Sequence, residues 1–275
     1  MKGDIMLTRT VTGAIVAALI YLWLFFSHVP VVLYGGTVIL CILVLIEVYQ
    51  ICQTGKPYTV YLSFAVSVVL LLLPIPGYEY VSALVFPIAV LAFLLMMRFM
   101  DQIEGLRGEY ATAIGIVIVL LFKSVPYLRE WDNGLYYLTF AVTACFVTDV
   151  AALLFGRAFG SHKLCPKISP KKTVEGAVGG VICTVLAAVF AVCLLERYEI
   201  LHFERTTLLI WALLVSVAGQ FGDLCMSVVK RIAGVKDFGN LLPGHGGILD
   251  RFDSHMFAVA FTLAFCAIGG GFIYK

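Results

Sequence analysis

Two aspartates stand inside apolar runs: Asp149 in Cys145-Phe-Val-Thr-Asp-Val-Ala-Ala-Leu-Leu and Asp223 in Ala218-Gly-Gln-Phe-Gly-Asp-Leu-Cys. A carboxylate in such a setting is costly unless a partner or a cation compensates it, so each is a functional candidate, with an ion pair between helices as the plainer alternative. Gly219 and Gly222, on the same run as Asp223, allow close approach by a backbone or a ligand. Further along, Gly244-His-Gly-Gly-Ile-Leu-Asp-Arg-Phe-Asp253 sets Asp250 and Asp253 three residues apart, on one face of any helix formed there. Like charges at that spacing repel and a bound cation relieves them; a helix cap with a salt bridge to Arg251 is the alternative. Asp223, Asp250 and Asp253 are hard oxygen ligands suited to Mg²⁺, which keeps positions open for phosphate oxygens, and Asp149 is a subsidiary fourth. No His/Cys set has zinc spacing.

Basic residues are distributed to match. Lys163, Lys167, Lys171 and Lys172 fall in one polar stretch, and Lys230, Arg231 and Lys236 in another. Ser169-Pro-Lys-Lys-Thr-Val-Glu-Gly176 puts two ammonium groups beside hydroxyls and a helix start, a fair site for a polyphosphate because helix N-termini point free N–H groups at anions. A lysine run of this kind also serves as a topology determinant or an anionic-lipid contact. His245 is a candidate donor to phosphate. Gly244, Gly246 and Gly247 permit a backbone whose amides converge on an anion, a reading compatible with a tight turn. No G-x-S-x-G or other triad arrangement occurs.

The elements that must position these groups are membrane helices. The chain has 275 residues, 61% hydrophobic and 13% charged, with a mean hydropathy of +1.01, against roughly 45–50% apolar and about 25% charged in a soluble domain. That composition excludes a water-soluble globule, collagen, disorder and a disulfide scaffold. The formal charge of +2 is too balanced for bulk nucleic-acid binding. Crossing a bilayer takes about 20 apolar residues in a helix, because lipid offers the backbone no hydrogen-bond partners. Nine such segments fall near residues 11–27, 29–51, 58–76, 81–100, 111–128, 134–156, 176–195, 206–228 and 254–273, with a hairpin or re-entrant pair allowed at the Pro74 to Tyr80 turn. Lys2 and Arg9 precede the first, which runs straight into the second without a cleavage site and so reads as a membrane helix rather than a signal peptide.

With the N-terminus in the cytoplasm, all of the 19 Lys and Arg residues fall on that side except Lys123, Arg129, Arg197, Arg205 and Lys275. This assignment puts Lys123 in the loop after the fifth segment and Arg251 in the loop before the last. The eight cysteines read as reduced packing residues. Residues 1–110 form a scaffold, of which residues 1–100 are almost pure hydrocarbon, and residues 111–275 a catalytic region with polar loops at 157–175 and 229–253.

The run Ser227-Val-Val-Lys-Arg-Ile-Ala-Gly-Val-Lys-Asp-Phe-Gly-Asn-Leu-Leu-Pro-Gly-His-Gly-Gly-Ile-Leu-Asp-Arg-Phe-Asp253 closely resembles the signature of the phosphatidate cytidylyltransferases, or CDP-diacylglycerol synthases. Ser169 to Gly176 and Gly219 to Leu224 are similar to two further family segments. The resemblance implies transfer of the cytidylyl group of CTP to phosphatidic acid, giving CDP-diacylglycerol and pyrophosphate, with Mg²⁺ and room for a second, monovalent cation such as K⁺. It implies an all-α bundle of about nine transmembrane helices with a polar cavity open to the cytoplasm and the lipid. By motif match Asp223 and Asp250 would hold the metal, with Asp253 near them, and Ser227, Lys230 and Arg231 would approach the phosphates. Lys236, Asp237, His245, Gly246, Gly247 and Arg251 of the signature join Ser169, Lys171, Lys172, Thr173 and Glu175 as the substrate-binding set.

Two departures stand out. Asp149 is followed by Val150, Ala151, Ala152 and Leu153 where the family commonly has Ser or Thr, Gly, Ala and Tyr, and Val174 stands where Trp is usual. The alternatives are a CTP-dependent enzyme acting on another lipid and a secondary transporter of organic anions. The short chain favours a bacterial inner membrane, and small-residue stretches offer a means of pairing two copies.

Overall fold

A computed structural model describes residues 2–51, 57–103, 108–241 and 246–274. Among the described residues, nine α-helices follow in chain order: α1 Lys2–Phe26, α2 Pro30–Gln50, α3 Pro57–Leu72, α4 Tyr78–Phe99, α5 Gly108–Glu130, α6 Gly134–Phe159, α7 Val174–Arg197, α8 Arg205–Ile232 and α9 Leu249–Ala267. Each falls on one of the nine apolar segments, but α3 stops at Leu72 and α9 at Ala267, short of the 76 and 273 that the apolar runs reach. Six of them, α2 and α4 to α8, are long and apolar enough to cross a membrane. Large apolar side chains such as Phe25, Leu62, Leu84 and Phe190 point outward, as expected of a surface solvated by hydrocarbon rather than water.

Two short antiparallel hairpins complete the chain. β1 (Lys163–Cys165) pairs with β2 (Ser169–Thr173), and β3 (His202–Phe203) with β4 (Ile273–Tyr274). They sit at opposite ends of the bundle, because the 24 residues of α7 between them rise about 36 Å. Tyr137 Oη on α6 accepts from the backbone N–H groups of Phe272 (2.8 Å) and Ile273 (3.0 Å), fixing the second hairpin.

Small residues set the closest packing. A Cβ on Gly176 of α7 would lie 2.6 Å from the Ala152 carbonyl of α6, and one on Gly180 would lie 3.0 Å from that of Thr148. One turn deeper, the Thr148 hydroxyl meets those of Thr184 (2.7 Å) and Ser216 (2.9 Å), joining α6, α7 and α8. α9 packs against α4, α5, α6 and α8 and is buried without interruption from Asp253 to Ala260, so it runs through the middle of the bundle. Its approach to α8 depends on Gly222, where a Cβ would lie 2.6 Å from the Asp253 carbonyl.

Several boundaries differ from those the apolar runs suggest. α8 continues past 228 to Ile232, so Lys230 and Arg231 occupy its last turn rather than a loop, and α9 begins at Leu249, so Asp250 and Arg251 are in its first turn. Hydropathy ends a segment at its polar residues, whereas the backbone keeps its hydrogen-bond ladder wherever a polar face has something to meet. Lys123 is not in a loop but buried on α5, donating to the Leu73 carbonyl at 2.5 Å. That carbonyl lies just past the end of α3, where helical partners run out, and the lysine's aliphatic stem reaches it through apolar surroundings. Of the Pro74 to Tyr80 stretch, the part before α4 begins at Tyr78 is a short loop pinned at Ile75, whose N–H and C=O both bond to Tyr127 Oη (3.1 and 2.9 Å). The cysteines described are free thiols, and Cys52 lies outside the described residues.

Candidate active site

At the end of the bundle bearing β1 and β2, a cavity of about 790 Å³ opens between α6, the β-hairpin, α8 and the start of α9. Its walls carry five carboxylates (Asp149, Asp223, Asp237, Asp250, Asp253) and six cations (Arg157, Lys163, Lys171, Lys172, Lys230, Arg251). This charge density in so apolar a chain is held open by local structure on each wall. Thr173 Oγ1 caps α7 by accepting from Gly176 N (3.1 Å). Glu175, in the first turn of that helix, accepts from His162 N (3.1 Å) and meets His162 Nδ1 (2.6 Å), closing the base of the hairpin. Arg231 Nε donates to the Ile168 carbonyl (3.0 Å) in the hairpin's turn. The hairpin is thereby fixed to α7 and α8, and β2 delivers Lys171 and Lys172 to the cavity.

The carboxylates and lysines meet in pairs. Lys172 Nζ lies 2.7 Å from Asp223 Oδ2, and Ser227, one turn on, places its Oγ 3.4 Å from Oδ1. Lys230 Nζ lies 2.6 Å from Asp250 Oδ1 in a pair with side chains only 11% and 4% exposed, and 5.3 Å from the centre of the Phe238 ring. The other Asp250 oxygen accepts from the backbone N–H groups of Phe238 and Gly247, both at 2.9 Å. Asp253, a turn along α9, is buried and accepts from Ser254 N (2.8 Å), while the Ser254 hydroxyl is 3.5 Å from Asp149 Oδ2. Asp223 is thus ion-paired, but with a lysine of β2 rather than of a neighbouring helix, and within a cavity.

Of the residues singled out in the sequence, Asp149, Lys171, Lys172, Thr173, Asp223, Lys230, Asp237, Asp250, Arg251 and Asp253 line this one cavity. Arg231 and Glu175 brace its walls, Ser227 supports Asp223, and Ser169 pairs with Cys165 in the hairpin. Lys236 is exposed after α8. Gly246 adopts φ +81°, and a Cβ there would lie 2.8 Å from Asp250 Oδ2; with the Gly247 amide on the same oxygen, this turn is shaped around Asp250. His245 lies outside the described residues.

One residue of the supposed scaffold reaches the site. Glu47, near the end of α2 and 5% exposed, accepts from Ile248 N and Leu249 N at 2.8 Å each. The argument from a lone acid in an apolar run, applied above to Asp149 and Asp223, holds equally for Leu43-Val-Leu-Ile-Glu47 and is the signal that would have found it.

Among the described residues no three acidic, histidine or cysteine side chains converge into a cage. Mg²⁺ needs none: it is characteristically held by one or two carboxylates together with substrate phosphates. Asp223 and Asp250, oxygen donors that both line this polar cavity, fit that demand in chemistry.

The chain matches the cytidylyltransferase family over residues 7–269. It is 34% identical over 263 residues to the phosphatidate cytidylyltransferase of Staphylococcus epidermidis, and 35% and 34% identical over 275 residues to those of Staphylococcus haemolyticus and Staphylococcus aureus. In each case the match covers 92% of this chain and 96% of the relative. Carried by this extent of similarity, and with the signature residues gathered around one cavity, the chain belongs to the cytidylyltransferase family.

Proposed function

We propose that this protein is a phosphatidate cytidylyltransferase, joining CTP to phosphatidic acid to form CDP-diacylglycerol and pyrophosphate in the membrane. The observation that carries the reading is the cavity itself, in which five carboxylates and six cations meet at one end of an otherwise apolar bundle. All nine helices are taken to span the bilayer, with the cavity and the N-terminus on the cytoplasmic face of a bacterial inner membrane. In that orientation the basic polar stretches lie inside, in keeping with the positive-inside rule, and the end with β3 and β4 lies outside.

The chemistry needs little help from a base. A phosphate monoester has a second pKa of about 6, so at neutral pH phosphatidic acid is largely a dianion and already a nucleophile. One of its oxygens attacks the α-phosphorus of CTP, a P–O bond forms, the bridging bond to the β-phosphate breaks, and pyrophosphate carries away the electron pair. The obstacle is repulsion between two polyanions, so catalysis falls to positioning and charge neutralisation. Lys171, Lys172 and Lys230 are placed to neutralise phosphate oxygens; each of the latter two leaves a carboxylate partner to do so, exchanging one charge-assisted hydrogen bond for another. Arg251 and Lys163 contribute from the remaining walls. Asp223 and Asp250 would hold Mg²⁺, which when bound supplies further neutralisation of the triphosphate and its leaving group. Because the cavity is flanked by hydrocarbon-facing helices, the lipid presents its headgroup without its acyl chains entering water.

The test is direct. Detergent-purified protein supplied with CTP, phosphatidic acid and Mg²⁺ should release pyrophosphate and form a liponucleotide identifiable by mass spectrometry. Absence of both with protein that remains folded would refute the reading, and product formation only with a different lipid acceptor would correct the substrate.

A further inference from the structure

The first N–H groups of a helix have no partner within it. In α9 those groups are not met by a local cap: the residue at the cap position is Ile248, which has no side-chain acceptor. Glu47, from α2, takes that place across some two hundred residues of sequence, its two oxygens accepting from Ile248 N and Leu249 N. Two glycines make room for it. A Cβ on Gly247 would lie 2.5 Å from Glu47 Oε2, and one on Gly239 would lie 2.9 Å from Oε1. The residue after Leu249 is Asp250, whose carboxylate is tied back to Gly247 N. The bonds from Glu47 thus bracket the turn that aims Asp250 into the cavity.

We infer that Glu47 is a positioning residue for catalysis: through the buried bonds to Ile248 and Leu249 it fixes the first turn of α9 and hence the direction in which Asp250 presents its carboxylate to the metal and phosphates. This rests on the reading of the cavity as the cytidylyltransferase site. It also assigns a catalytic dependence to a helix otherwise occupied only with packing.

The experiment compares full-length, detergent-purified wild type with Glu47→Gln, Glu47→Asp and Asp250→Asn, measuring kcat, the KM values for CTP and phosphatidic acid, the Mg²⁺ concentration for half-maximal rate, and the thermal unfolding midpoint. Gln is isosteric but sets an NH₂ group against one of the two N–H donors. Glu47→Gln should lower kcat about tenfold and raise the Mg²⁺ requirement several-fold, within the range of roughly 10- to 100-fold typical for residues that orient a metal ligand, while KM for phosphatidic acid stays within about twofold. Glu47→Asp, which keeps both acceptors, should recover much of the kcat. An unchanged kcat and Mg²⁺ requirement in Glu47→Gln, with Asp250→Asn inactive, would overturn the inference. So would a loss of activity that only tracks loss of folded protein, with the Mg²⁺ requirement unmoved. Wild-type protein that forms no pyrophosphate would instead bring down the reading of the cavity, and this inference with it.

Discussion

Replacing Asp250 by Asn separates the two things this carboxylate does. One oxygen holds Lys230 at 2.6 Å; the other accepts two backbone N–H groups at 2.9 Å. An amide retains only one acceptor. If its oxygen stays with Phe238 and Gly247, its NH₂ faces the Lys230 ammonium, leaving a buried cation opposite a donor. Removing one partner of a buried pair costs about 3 kcal/mol, so the unfolding midpoint should fall by several degrees. Turnover should fall by at least about 100-fold, roughly 2.7 kcal/mol of barrier, the scale of losing one preorganised electrostatic group. The double variant Asp250→Asn with Lys230→Met distinguishes the causes, because the Asn oxygen still accepts from Phe238 and Gly247 while no buried cation is left without its partner. It should regain stability and remain inactive. Pyrophosphate release from CTP and phosphatidic acid, followed alongside unfolding in detergent, reads both quantities. Near-wild-type turnover in Asp250→Asn, or recovery of turnover in the double variant, would refute the assignment of Asp250 to the reacting centre.

Other outcomes follow from the same geometry. Lys172→Met should raise the KM for CTP about tenfold, the loss of one charge-assisted hydrogen bond of roughly 1.5 kcal/mol, as read by initial rates at saturating phosphatidic acid. Gly222→Ala drives a methyl group into the Asp253 carbonyl and the Phe257 ring, both 2.6 Å from the added Cβ; it should cost about 1–3 kcal/mol of stability and displace α9, lowering both the unfolding midpoint and turnover. Chelation of divalent cations should abolish turnover without lowering the unfolding midpoint of the substrate-free protein, and added Mg²⁺ should restore it.

Much of the architecture is legible without coordinates, because lipid allows an isolated span few solutions other than a helix. The nine apolar runs fall on the nine helices of the described residues, and the acids singled out in the C-terminal half, Asp149, Asp223, Asp250 and Asp253, line one cavity. What escapes is the behaviour of polar groups at the ends of apolar runs. Hydropathy stops α8 before Lys230 and starts α9 after Asp253, yet both residues are helical, since the cavity satisfies them. Lys123 looks like a loop residue by charge alone; only the carbonyl beyond α3 explains its burial. The β-hairpin is invisible to periodicity over so few residues, and it is held by Arg231 and Glu175, residues the resemblance links to substrate. Glu47 carries the same lone-acid signal as Asp149 and Asp223, but its partners are backbone amides some two hundred residues further along the chain, which no local pattern reveals.

The central position of α9 bears on how the protein is made. The helices it packs against, α4, α5, α6 and α8, all precede it in the chain, and in a membrane they meet lipid before it does. α9 cannot rest there comfortably, since Asp250 and Asp253 would face hydrocarbon until α8 and the hairpin accept them. The slot between α4, α5, α6 and α8 is thus filled by a segment made after all four of its walls, and the carboxylates of α9 join the cavity only when it docks. A stalled or truncated translation product lacking α9 would be embedded yet inert, with apolar side chains of the slot open to whatever chaperone or protease surveys the membrane.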